Sequence, residues 1–469
     1  MKRHVINLVK AGVRGAIGPA IAARRPVRTD LALSTWGIEA SSTGRLRRSS
    51  VDLADLVAAH GSPLVVVDGD AVEHAALAAL GTDPKRSSAD IFYSYKTNPV
   101  PAVLRILHEQ GVGAEVISPY ELWLALRLGV PGERIIYNGP AKSFESLCEA
   151  VRVGALAINA NSSHDLSLIS HAAQAVGQRA NVGIRVSLAS TWQGQFGFNA
   201  TSGALDEAVA EAQRSTDVDL RAIHVHRGAA MRTAADFQAY VSSVLAFLDA
   251  LRSRTGFHPQ ILDLGGSLAC PTVAPFERIQ HRLNRALGTD LLSPDPTSVV
   301  GVGDAGVLAV EMVSAHAAAA GLESPKVVLE PGRALTSSSQ MLLATVQDVK
   351  LDGTIPFAVL DAGMNVAEPT ANEFHQLLHA TKSNAAHDTS YRIVGPICTP
   401  ADVLYNNWRL PTLEPGDVLA IMDTGAYFVP FSTSFSFPRP AIVVQRGHTV
   451  TLARGRETFE HLVTLDELP

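Results

Sequence analysis

The chain has 469 residues, of which 46% are hydrophobic and 18% are charged. This composition is typical of a globular protein large enough for two domains, and not of a disordered one. The net charge of −6 gives no general attraction to nucleic acid or to an anionic membrane, so neither is expected as a partner. The cysteines Cys148, Cys270 and Cys398 are too widely spaced for a disulfide framework or a metal site. Their spacing favours a reduced, cytoplasmic setting and predicts no metal.

Residues 1–29 form a basic N-terminal extension. Its apolar stretch resembles a signal sequence superficially, but Lys10 and Arg14 interrupt it. We interpret it as an amphipathic or partly disordered segment that could contact a dimer partner or dock onto a carrier protein. No apolar run in the sequence approaches the ~18 residues of a membrane-spanning helix.

From about residue 61 short apolar runs alternate with helix-like segments. The strand candidates are 63–68, 90–95, 113–118, 134–138, 156–160, 181–187, 220–226, 260–266 and 326–332. This rhythm predicts parallel strands with crossover helices, and it suits a TIM barrel over 61–335 better than an open sheet. After about residue 335 strands follow one another without helices. This change predicts an antiparallel β domain over 336–469, to which the strand and helix of 30–60 are joined.

One lysine, Lys96 in "IFYSYKTNPVPAVLRIL", follows an apolar, β-favouring run and precedes a helix-like segment. A lysine at the C-terminal end of a barrel strand lies where α/β barrels collect their chemistry. There its amine can be desolvated and can attack a carbonyl carbon. Because most lysines are solvated surface groups, this prediction depends on the motifs that accompany it.

Further motifs follow Lys96 in a fixed order. They are "GAEVIS", "GIRVS", "IHVHRGAA", "ILDLGGS", "EPGR", "GPICTP" and "TGAY". In that order they resemble the fold-type III pyridoxal-phosphate decarboxylases, the family of diaminopimelate, ornithine and arginine decarboxylases. The resemblance spans about residues 30–460, and it favours the barrel over an open sheet. It implies a pyridoxal 5'-phosphate-binding TIM barrel with a C-terminal β domain, as in alanine racemase.

The resemblance also implies roles for the cofactor-binding residues. Lys96 would carry the cofactor, and Glu330 would keep its ring nitrogen protonated through the opposite charge. His226 would stack on the ring; His224, two residues earlier, is the alternative, but the glycine after Arg227 fits only the His226 assignment. The remaining matches are the phosphate loop Gly265, Gly266 and Ser267, the phosphate contacts Gly332, Arg333 and Tyr427, and the ordering residue Arg185.

Two further positions have implied but less specific roles. Glu115 stands where the family commonly has aspartate, and it either hydrogen-bonds near the lysine or forms a salt bridge inside the barrel. Cys398 lies in a loop that, in the family, comes from the partner subunit of a homodimer with shared active sites. As a general acid it, or Lys96, would return a proton to the substrate carbon after CO2 leaves.

The substrate pocket departs from the family. Thr399 replaces the glutamate or aspartate that holds a distal amine, while Asp361 begins a segment like that of diaminopimelate decarboxylases. Within that segment Glu368, Thr370 and Asn372 replace the residues of the diaminopimelate type, and in the separate motif "QGQFGFN" Gln195 stands where that type carries lysine. Arg227 and Arg232 flank a strand end, where an anionic tail would find a cation. The sequence therefore predicts decarboxylation of an amino acid other than free diaminopimelate or ornithine, with acylated and carrier-bound amino acids as the candidates.

Two other functions are compatible with such a barrel. A racemase or epimerase of the same fold is the alternative enzyme, and Glu330 disfavours it because alanine racemases place an arginine at the ring nitrogen. A catalytically silent cofactor carrier would suit a barrel alone. The β domain with Cys398 and Tyr427 disfavours that interpretation.

Overall fold

The computed structural model describes residues 27–81, 88–191, 194–352 and 355–467. It contains two compact units. Of the described residues, the β unit contains 27–70, Pro271–Pro296 and those from Ser337 onwards; the barrel unit contains those within Ala71–Cys270 and Thr297–Thr336. The basic extension was predicted over residues 1–29. Its first 26 residues, to which a carrier-docking role was assigned, lie outside the described residues.

The chain enters the fold through short elements. Three antiparallel strands, β1 (Ile38–Ala40), β2 (Leu46–Arg48) and β3 (Val51–Asp52), form a small sheet. Helix α1 (Leu53–His60) begins where the Asp52 carboxylate accepts the backbone N–H of Ala54, which satisfies one of the free donors of the first turn. Strand β4 (Leu64–Asp68) and helix α2 (Gly69–Leu80) follow.

Eight parallel strands close into a barrel, which confirms the predicted fold class. They are β5 (Asp90–Ser94), β6 (Gly113–Val116), β7 (Ile135–Tyr137), β8 (Ala157–Ala160), β9 (Ala180–Ser187), β11 (Val218–Val225), β12 (Ile261–Asp263) and β13 (Lys326–Leu329), with the two-residue β10 (Phe198–Asn199) beside β9. The pairing of β13 with β5 completes the ring. Apolar side chains from six strands pack inside it: Phe92, Ile136, Ala157, Ala222, Ile261 and Val328.

The helices in this part of the chain alternate with the barrel strands. They are α3 (Pro101–Glu109), α4 (Pro119–Arg127), α5 (Phe144–Arg152), α6 (Ser163–Val176), α7 (Gly203–Arg214), α8 (Ala234–Thr255), α9 (Arg278–Leu287), α10 (Val302–Ala319) and α11 (Arg333–Thr336), of which α9 belongs to the β unit. Four of them begin at a hydroxyl side chain that accepts a backbone N–H of the first turn, namely Ser118, Ser143, Ser162 and Thr233. These caps explain why the helices begin where they do.

The β unit is a mixed sheet, whereas the sequence predicted an antiparallel one. Its later strands are β14 (Gln340–Asp352), β15 (Ile355–Leu360), β16 (Leu377–His379), β17 (Thr389–Val394), β18 (Val403–Leu410), β19 (Val418–Ile421), β20 (Ala441–Arg446) and β21 (Thr449–Arg454), with short helices α12 (Met364–Ala367), α13 (Phe428–Phe431) and α14 (Phe459–Leu462). The pairs β4–β20 and β15–β17 are parallel, and the other pairs of this sheet are antiparallel. The prediction was based on strands that follow one another without helices. That pattern indicates antiparallel pairing of neighbours in sequence, but it does not show how strands that are distant in sequence pair.

Strand β4 was expected in the barrel and lies in the β unit instead. It pairs with β14 on one side and β20 on the other, and all five of its residues are buried. A strand buried on both faces has the same continuous apolar sequence in a barrel as in the centre of a mixed sheet. Its composition therefore predicts burial but not the sheet that it joins.

Among the described residues, the segment Pro296–Ala319 contains a helix long and apolar enough to cross a membrane by length and composition alone. No such run was expected from the sequence. In the structure this helix, α10, contacts α8 and strand β13. Its buried residues recur every three or four positions, at Val302, Ala305, Gly306, Ala309, Val313 and Ala317. This spacing is that of a helix with one face against a core, so we describe it as a barrel helix.

A buried ion pair connects helix α6 to the barrel strands. Lys142 is fully buried along its side chain, and its Nζ lies 2.7 Å from Asp165 Oδ2. The same ammonium donates to the carbonyl oxygens of Gly139 (2.7 Å) and Asn159 (3.0 Å). Burial lowers the pKa of Lys142, and the charge of Asp165 opposes that change. The pair is fully hydrogen-bonded, the condition under which buried charges are tolerated.

Substitution Asp165→Ala should leave an uncompensated buried ammonium and lower the free energy of unfolding by about 3–5 kcal/mol. Urea denaturation followed by circular dichroism measures this change. Glu149→Ala is the matched control because Glu149 pairs with Arg152 on the surface of the same unit, and its loss should cost less than about 1 kcal/mol. Equal effects of the two substitutions would contradict the structural role given to the buried pair.

Candidate active site

The eight barrel strands each bring a polar side chain to their C-terminal ends. In strand order these residues are Lys96, Glu115, Asn138, Asn159, Arg185, His224, Asp263 and Glu330, each within or just after its strand. Because the strands are all parallel, these ends lie at the same rim of the barrel. This rim is the candidate active site.

Lys96 lies in a one-turn helix, Tyr95–Thr97, directly after β5. Its Nζ is 3.8 Å from Glu115 Oε2, and 37% of its side chain is exposed while that of Glu115 is 1% exposed. The hydroxyl of Ser94 donates to the same carboxylate oxygen of Glu115. Lys96 therefore combines a fixed anionic neighbour with access from solvent.

The amide of Asn138 joins two buried carboxylates from different strands. Its Nδ2 donates to Glu115 Oε1 at 2.9 Å and to Glu330 Oε1 at 2.6 Å. Its Oδ1 accepts from Asn159 Nδ2 at 2.7 Å, which fixes the orientation of the amide. Glu115 and Glu330 are thus held by the same amide nitrogen.

Glu330 is deeply buried and is held in its ionised form. Burial alone would raise its pKa, but the neighbouring His224, together with Asp263 and His226, lowers it. Nε2 of His224 lies 3.5 Å from Glu330 Oε2. Burial raises the pKa of Asp263 well above its ordinary value, and the charge of Glu330 acts in the same direction. The two pKa values are thus shifted in opposite directions, and Glu330 is the member of the pair whose ionised form is favoured.

His226 is a neutral imidazole of defined tautomer. Burial lowers its pKa well below the ordinary value, and the charge of Lys96 lowers it further. Its Nδ1 accepts the backbone N–H of Gly266 at 3.3 Å, and its Nε2 lies 3.1 Å from Ser267 Oγ. Since a neutral imidazole has one N–H, the proton is on Nε2 and is donated to the serine.

At Gly265 and Gly266 the loop after β12 passes too close to its neighbours for a side chain. A Cβ at Gly265, whose φ is +66°, would lie 2.5 Å from His226 Nδ1, and a Cβ at Gly266 would lie 2.3 Å from the carbonyl oxygen of Glu330. Ser267 keeps a left-handed φ of +68°, the conformation that glycine adopts most readily. Its hydroxyl accepts the backbone N–H of Gly228 at 2.9 Å. The serine thus keeps a backbone conformation that suits glycine, and its hydroxyl has partners within the protein.

The other predicted residues of the barrel unit surround this centre less closely. Arg185 on β9 lies over the ring of Phe196 at 4.7 Å; burial lowers its pKa, and the charge of Glu330 opposes that change. Gly332 lies against Thr97, and Arg333 begins helix α11. Arg227, which was predicted to meet the substrate, donates from Nη1 to the carbonyl oxygen of Asp236 at 3.1 Å.

Four predicted site residues belong to the β unit. Cys398 and Thr399 are exposed in the loop between β17 and β18. Tyr427 has a φ of +69° and its ring stacks on Phe431 with centroids 5.8 Å apart. Asp361 is half-buried, and its carboxylate accepts the backbone N–H of Thr345 at 2.9 Å.

Asp402 orders the loop that carries Cys398, and it was not predicted from the sequence. Its Oδ2 accepts the backbone N–H of Ile397 at 2.7 Å, and its Oδ1 accepts that of Met364 at 2.7 Å. Its carbonyl oxygen also accepts the N–H of Gly395 at 3.1 Å. One buried carboxylate thus supports both the Cys398 loop and the start of helix α12.

Asn138, Asn159 and Asp263 were not predicted from the sequence either. A signal for all three was present, since each is a polar residue at the end of a short apolar strand, in "RIIYN", "LAINA" and "ILDLGG". Considered singly, each of these residues indicates only where a strand ends. Only the closed ring of parallel strands makes the ends of β7, β8 and β12 part of one site.

These residues fit pyridoxal phosphate, the cofactor that the resemblance implies. The rim offers an accessible amine on Lys96, a carboxylate on Glu330 whose ionised form is favoured, and a loop in which Gly265 and Gly266 have no room for a side chain. Among the described residues, Nδ1 of the buried His224 has no partner in hydrogen-bonding geometry, while its Nε2 faces Glu330 at 3.5 Å. The donor atoms of His224, His226 and Glu330 lie within 4.8 Å of one another. A metal ion could use the same three side chains, although the sequence predicted none.

Comparisons with known proteins agree with this description. Residues 74–302 match the family model for the pyridoxal-binding domain of pyridoxal-dependent decarboxylases. The chain is 26% identical to a diaminopimelate decarboxylase of Methanocaldococcus jannaschii over 91% of this chain and 96% of that protein. It is 28% identical to one from Corynebacterium efficiens over 89% of this chain and 90% of that protein.

The structural likeness extends over both units. The crystal structure of the diaminopimelate decarboxylase of M. jannaschii matches with a TM-score of 0.80 and 26% identity, covering 93% of this chain and 99% of that one. A lysine/ornithine decarboxylase of Vibrio vulnificus shares the fold, with a TM-score of 0.67 and 18% identity over 84% of this chain and 97% of that one. The chain is therefore a pyridoxal-phosphate-dependent amino-acid decarboxylase with the fold of the diaminopimelate decarboxylases that it resembles.

Proposed function

We propose that the chain decarboxylates an amino acid whose side chain ends in an acyl or anionic group and not in a free ammonium group. The observation that carries this proposal is Thr399, an exposed neutral residue in the loop position where the family places a glutamate or aspartate. A charge-assisted hydrogen bond contributes about 1.5–3 kcal/mol. A substrate that depends on that bond would therefore bind this chain poorly.

In the proposed reaction Lys96 would hold pyridoxal phosphate through Nζ. Pyridoxal phosphate, when bound, supplies an electron sink for the pair that remains on the α-carbon when its bond to the carboxylate breaks and CO2 leaves. Glu330, ionised and buried, would stabilise positive charge on the ring nitrogen. His226, neutral and fixed by Gly266 and Ser267, would pack on the ring.

The last step returns a proton to the α-carbon. Cys398 is proposed as the donor, with Lys96 as the alternative, and either group would act as a general acid. The exposed position of Cys398 in its loop suits a thiol that must meet a substrate. Asp402 positions the loop by bonding its backbone and does not itself take part.

Diaminopimelate is the competing substrate because it is named in the relatives that match this chain at 25–28% identity. Its side chain ends in both an ammonium and a carboxylate group. The two candidates differ in what they require of the protein, since only diaminopimelate needs a partner for an ammonium group. A racemase is not favoured, given the decarboxylase relatives and the carboxylate at position 330.

Substitution Glu330→Gln should lower turnover at saturating substrate by a factor of about 10² or more, because a neutral amide does not stabilise a charged ring nitrogen. The fold should persist, since the glutamine amide oxygen can still accept the hydrogen bond from Asn138. Steady-state CO2 release, with cofactor content measured by absorbance, gives the result. Glu323→Gln, at an exposed position before the same strand, is the control and should be unchanged. Unchanged turnover in Glu330→Gln would contradict the proposed role.

A substrate panel tests the proposal itself. We expect low kcat/KM on free ornithine, lysine and meso-diaminopimelate, and higher kcat/KM on diamino acids whose distal nitrogen is acylated. The expected difference is at least about tenfold, from the missing charge-assisted bond. Thr399→Glu should reduce the difference in kcat/KM between the acylated and the free diamino acids, because it restores a partner for the ammonium group. Efficient turnover of meso-diaminopimelate by the unaltered chain would show the Thr399 inference to be wrong.

We further propose a cytoplasmic homodimer in which Lys96 of one subunit and Cys398 of the other serve one site, as the family resemblance implies. Lys96→Ala and Cys398→Ala homodimers should each be severely impaired. Mixing them under conditions of subunit exchange should restore activity, because one site of each hybrid dimer would have both groups intact. If exchange is demonstrated by mass spectrometry and activity does not recover, the site is not shared.

A further inference from the structure

The side-chain amide of Asn138 gives one hydrogen to each of two buried carboxylates. Asn138 directly follows β7 and is 2% exposed, while Glu115 is 1% and Glu330 is 3% exposed. Its Nδ2 lies 2.9 Å from Glu115 Oε1 and 2.6 Å from Glu330 Oε1. Since an amide nitrogen carries two hydrogens, both contacts are served at once. The donor capacity of this nitrogen is therefore used completely.

In both carboxylates the bond to the amide leaves the second oxygen facing another polar group. Oε2 of Glu115 lies 3.8 Å from Lys96 Nζ and accepts the hydroxyl of Ser94. Oε2 of Glu330 lies 3.5 Å from Nε2 of His224. Because the amide fixes one oxygen of each carboxylate, it also determines what the other oxygen meets.

The amide is itself held in one orientation. The backbone N–H of Asn138 donates to the carbonyl oxygen of Val116, the last residue of β6, at 2.7 Å. Its Oδ1 accepts from Asn159 Nδ2 at 2.7 Å. An amide turned by half a revolution would present its oxygen to two carboxylates and its hydrogens to the donor of Asn159. Both N–H groups must therefore point at Glu115 and Glu330.

Two further titratable groups act on Lys96. Burial raises the pKa of Glu121 on α4 to about 7, and the charge of Glu115 acts in the same direction, while Lys96 lowers it. Burial lowers the pKa of His226 at the end of β11, and the charge of Lys96 lowers it further. Neither group takes part in the three side-chain hydrogen bonds of the amide. A substitution of the amide therefore leaves both side chains in place.

We propose that Asn138 is a positioning residue for Lys96, because it turns Oε2 of Glu115 toward the amine while it holds Glu330 through the same nitrogen. Buried carboxylates repel each other, and a donor shared between them offsets that repulsion. The pH at which Lys96 loses its proton then depends on Asn138 through Glu115. That Lys96 holds the cofactor rests on the function proposed above, whereas its contact with Glu115 does not.

Competitive acetylation of the full-length chain without cofactor, across a pH series, measures the pKa of Lys96 by mass spectrometry of its peptide. Asn138→Leu is close to asparagine in size and removes the donor. Glu330 retains His224, whose charge lowers the pKa of Glu330 against the effect of burial, so the change should fall on Glu115. That carboxylate should turn away or take up a proton. The midpoint of Lys96 should fall by about 0.5–1 pH unit, since a nearby opposite charge shifts a pKa by about one unit or more.

A double-mutant cycle tests whether the effect passes through Glu115. Glu115→Gln alone removes the anionic neighbour and should lower the midpoint of Lys96 by a similar amount. In the Glu115→Gln chain, the further change Asn138→Leu should move the midpoint by less than about 0.2 pH unit, because residues that act through one contact are not additive. A residue that stabilised only the fold would not give this dependence.

Asn181→Leu is the matched control. Its Nδ2 donates to the carbonyl oxygen of Ala155 at 2.8 Å, but Asn181 lies at the start of β9, at the opposite end of the barrel. The midpoint of Lys96 should stay within about 0.2 pH unit of that of the unaltered chain, because this end is far from the site. Asn138→Ser is the milder variant if Asn138→Leu does not fold, and it should give a smaller fall because a hydroxyl has one hydrogen to donate.

The proposal is overturned if the folded Asn138 variant has the midpoint of the unaltered chain, if Asn181→Leu lowers the midpoint as far, or if Asn138→Leu has its full effect in the Glu115→Gln chain. Circular dichroism establishes that each variant is folded. Since acetylation does not depend on turnover, failure of the proposed substrate would leave this result intact. Unchanged acetylation would in turn leave the decarboxylation result intact.

Discussion

The active site depends on the side-chain amide of Asn138, which donates hydrogen bonds to two buried carboxylates. Glu115 and Glu330 come from β6 and from the end of β13, the two strands that pair with β5, and both are almost completely buried. Two carboxylates at such depth repel each other unless a donor lies between them. Asn138 provides that donor to both, and it thereby allows one acid to face Lys96 while the other serves the deeper part of the site.

The support for that amide extends outward to the helices of the barrel. Asn159 fixes the orientation of Asn138, and the backbone carbonyl of Asn159 accepts from the ammonium of Lys142. Lys142 in turn pairs with Asp165 on helix α6. The stability of this pair and the geometry of the site are thus parts of one hydrogen-bonded network, in which residues far from the chemistry determine where Glu330 lies.

The sequence predicted those features whose signal is local. Lys96, His226 and Glu330 are each recognisable because a reactive residue stands at a strand end within a motif. The membership of β4 in the second sheet was not predictable, because a run of buried valines does not specify its partners. The role of Asn138 was not predictable either, because it arises from contacts with residues 23 and 192 positions away. Helix α9 lies within the predicted barrel range 61–335 but belongs to the β unit. This membership was not predictable either, because it depends on tertiary packing.

The carboxylate of Asp402 bears on how the specificity of such an enzyme can change. It holds the backbone of the Cys398 loop and of the segment entering helix α12, and these are the two segments whose side chains differ from the family pattern. Because the carboxylate binds main-chain N–H groups, the hydrogen bonds that hold both segments do not involve the side chains that they display. Substitutions at neighbouring pocket positions can then accumulate one at a time, each altering the recognition of substrate while the loop conformation persists. Evolution of a new substrate preference on this scaffold therefore does not require a new backbone.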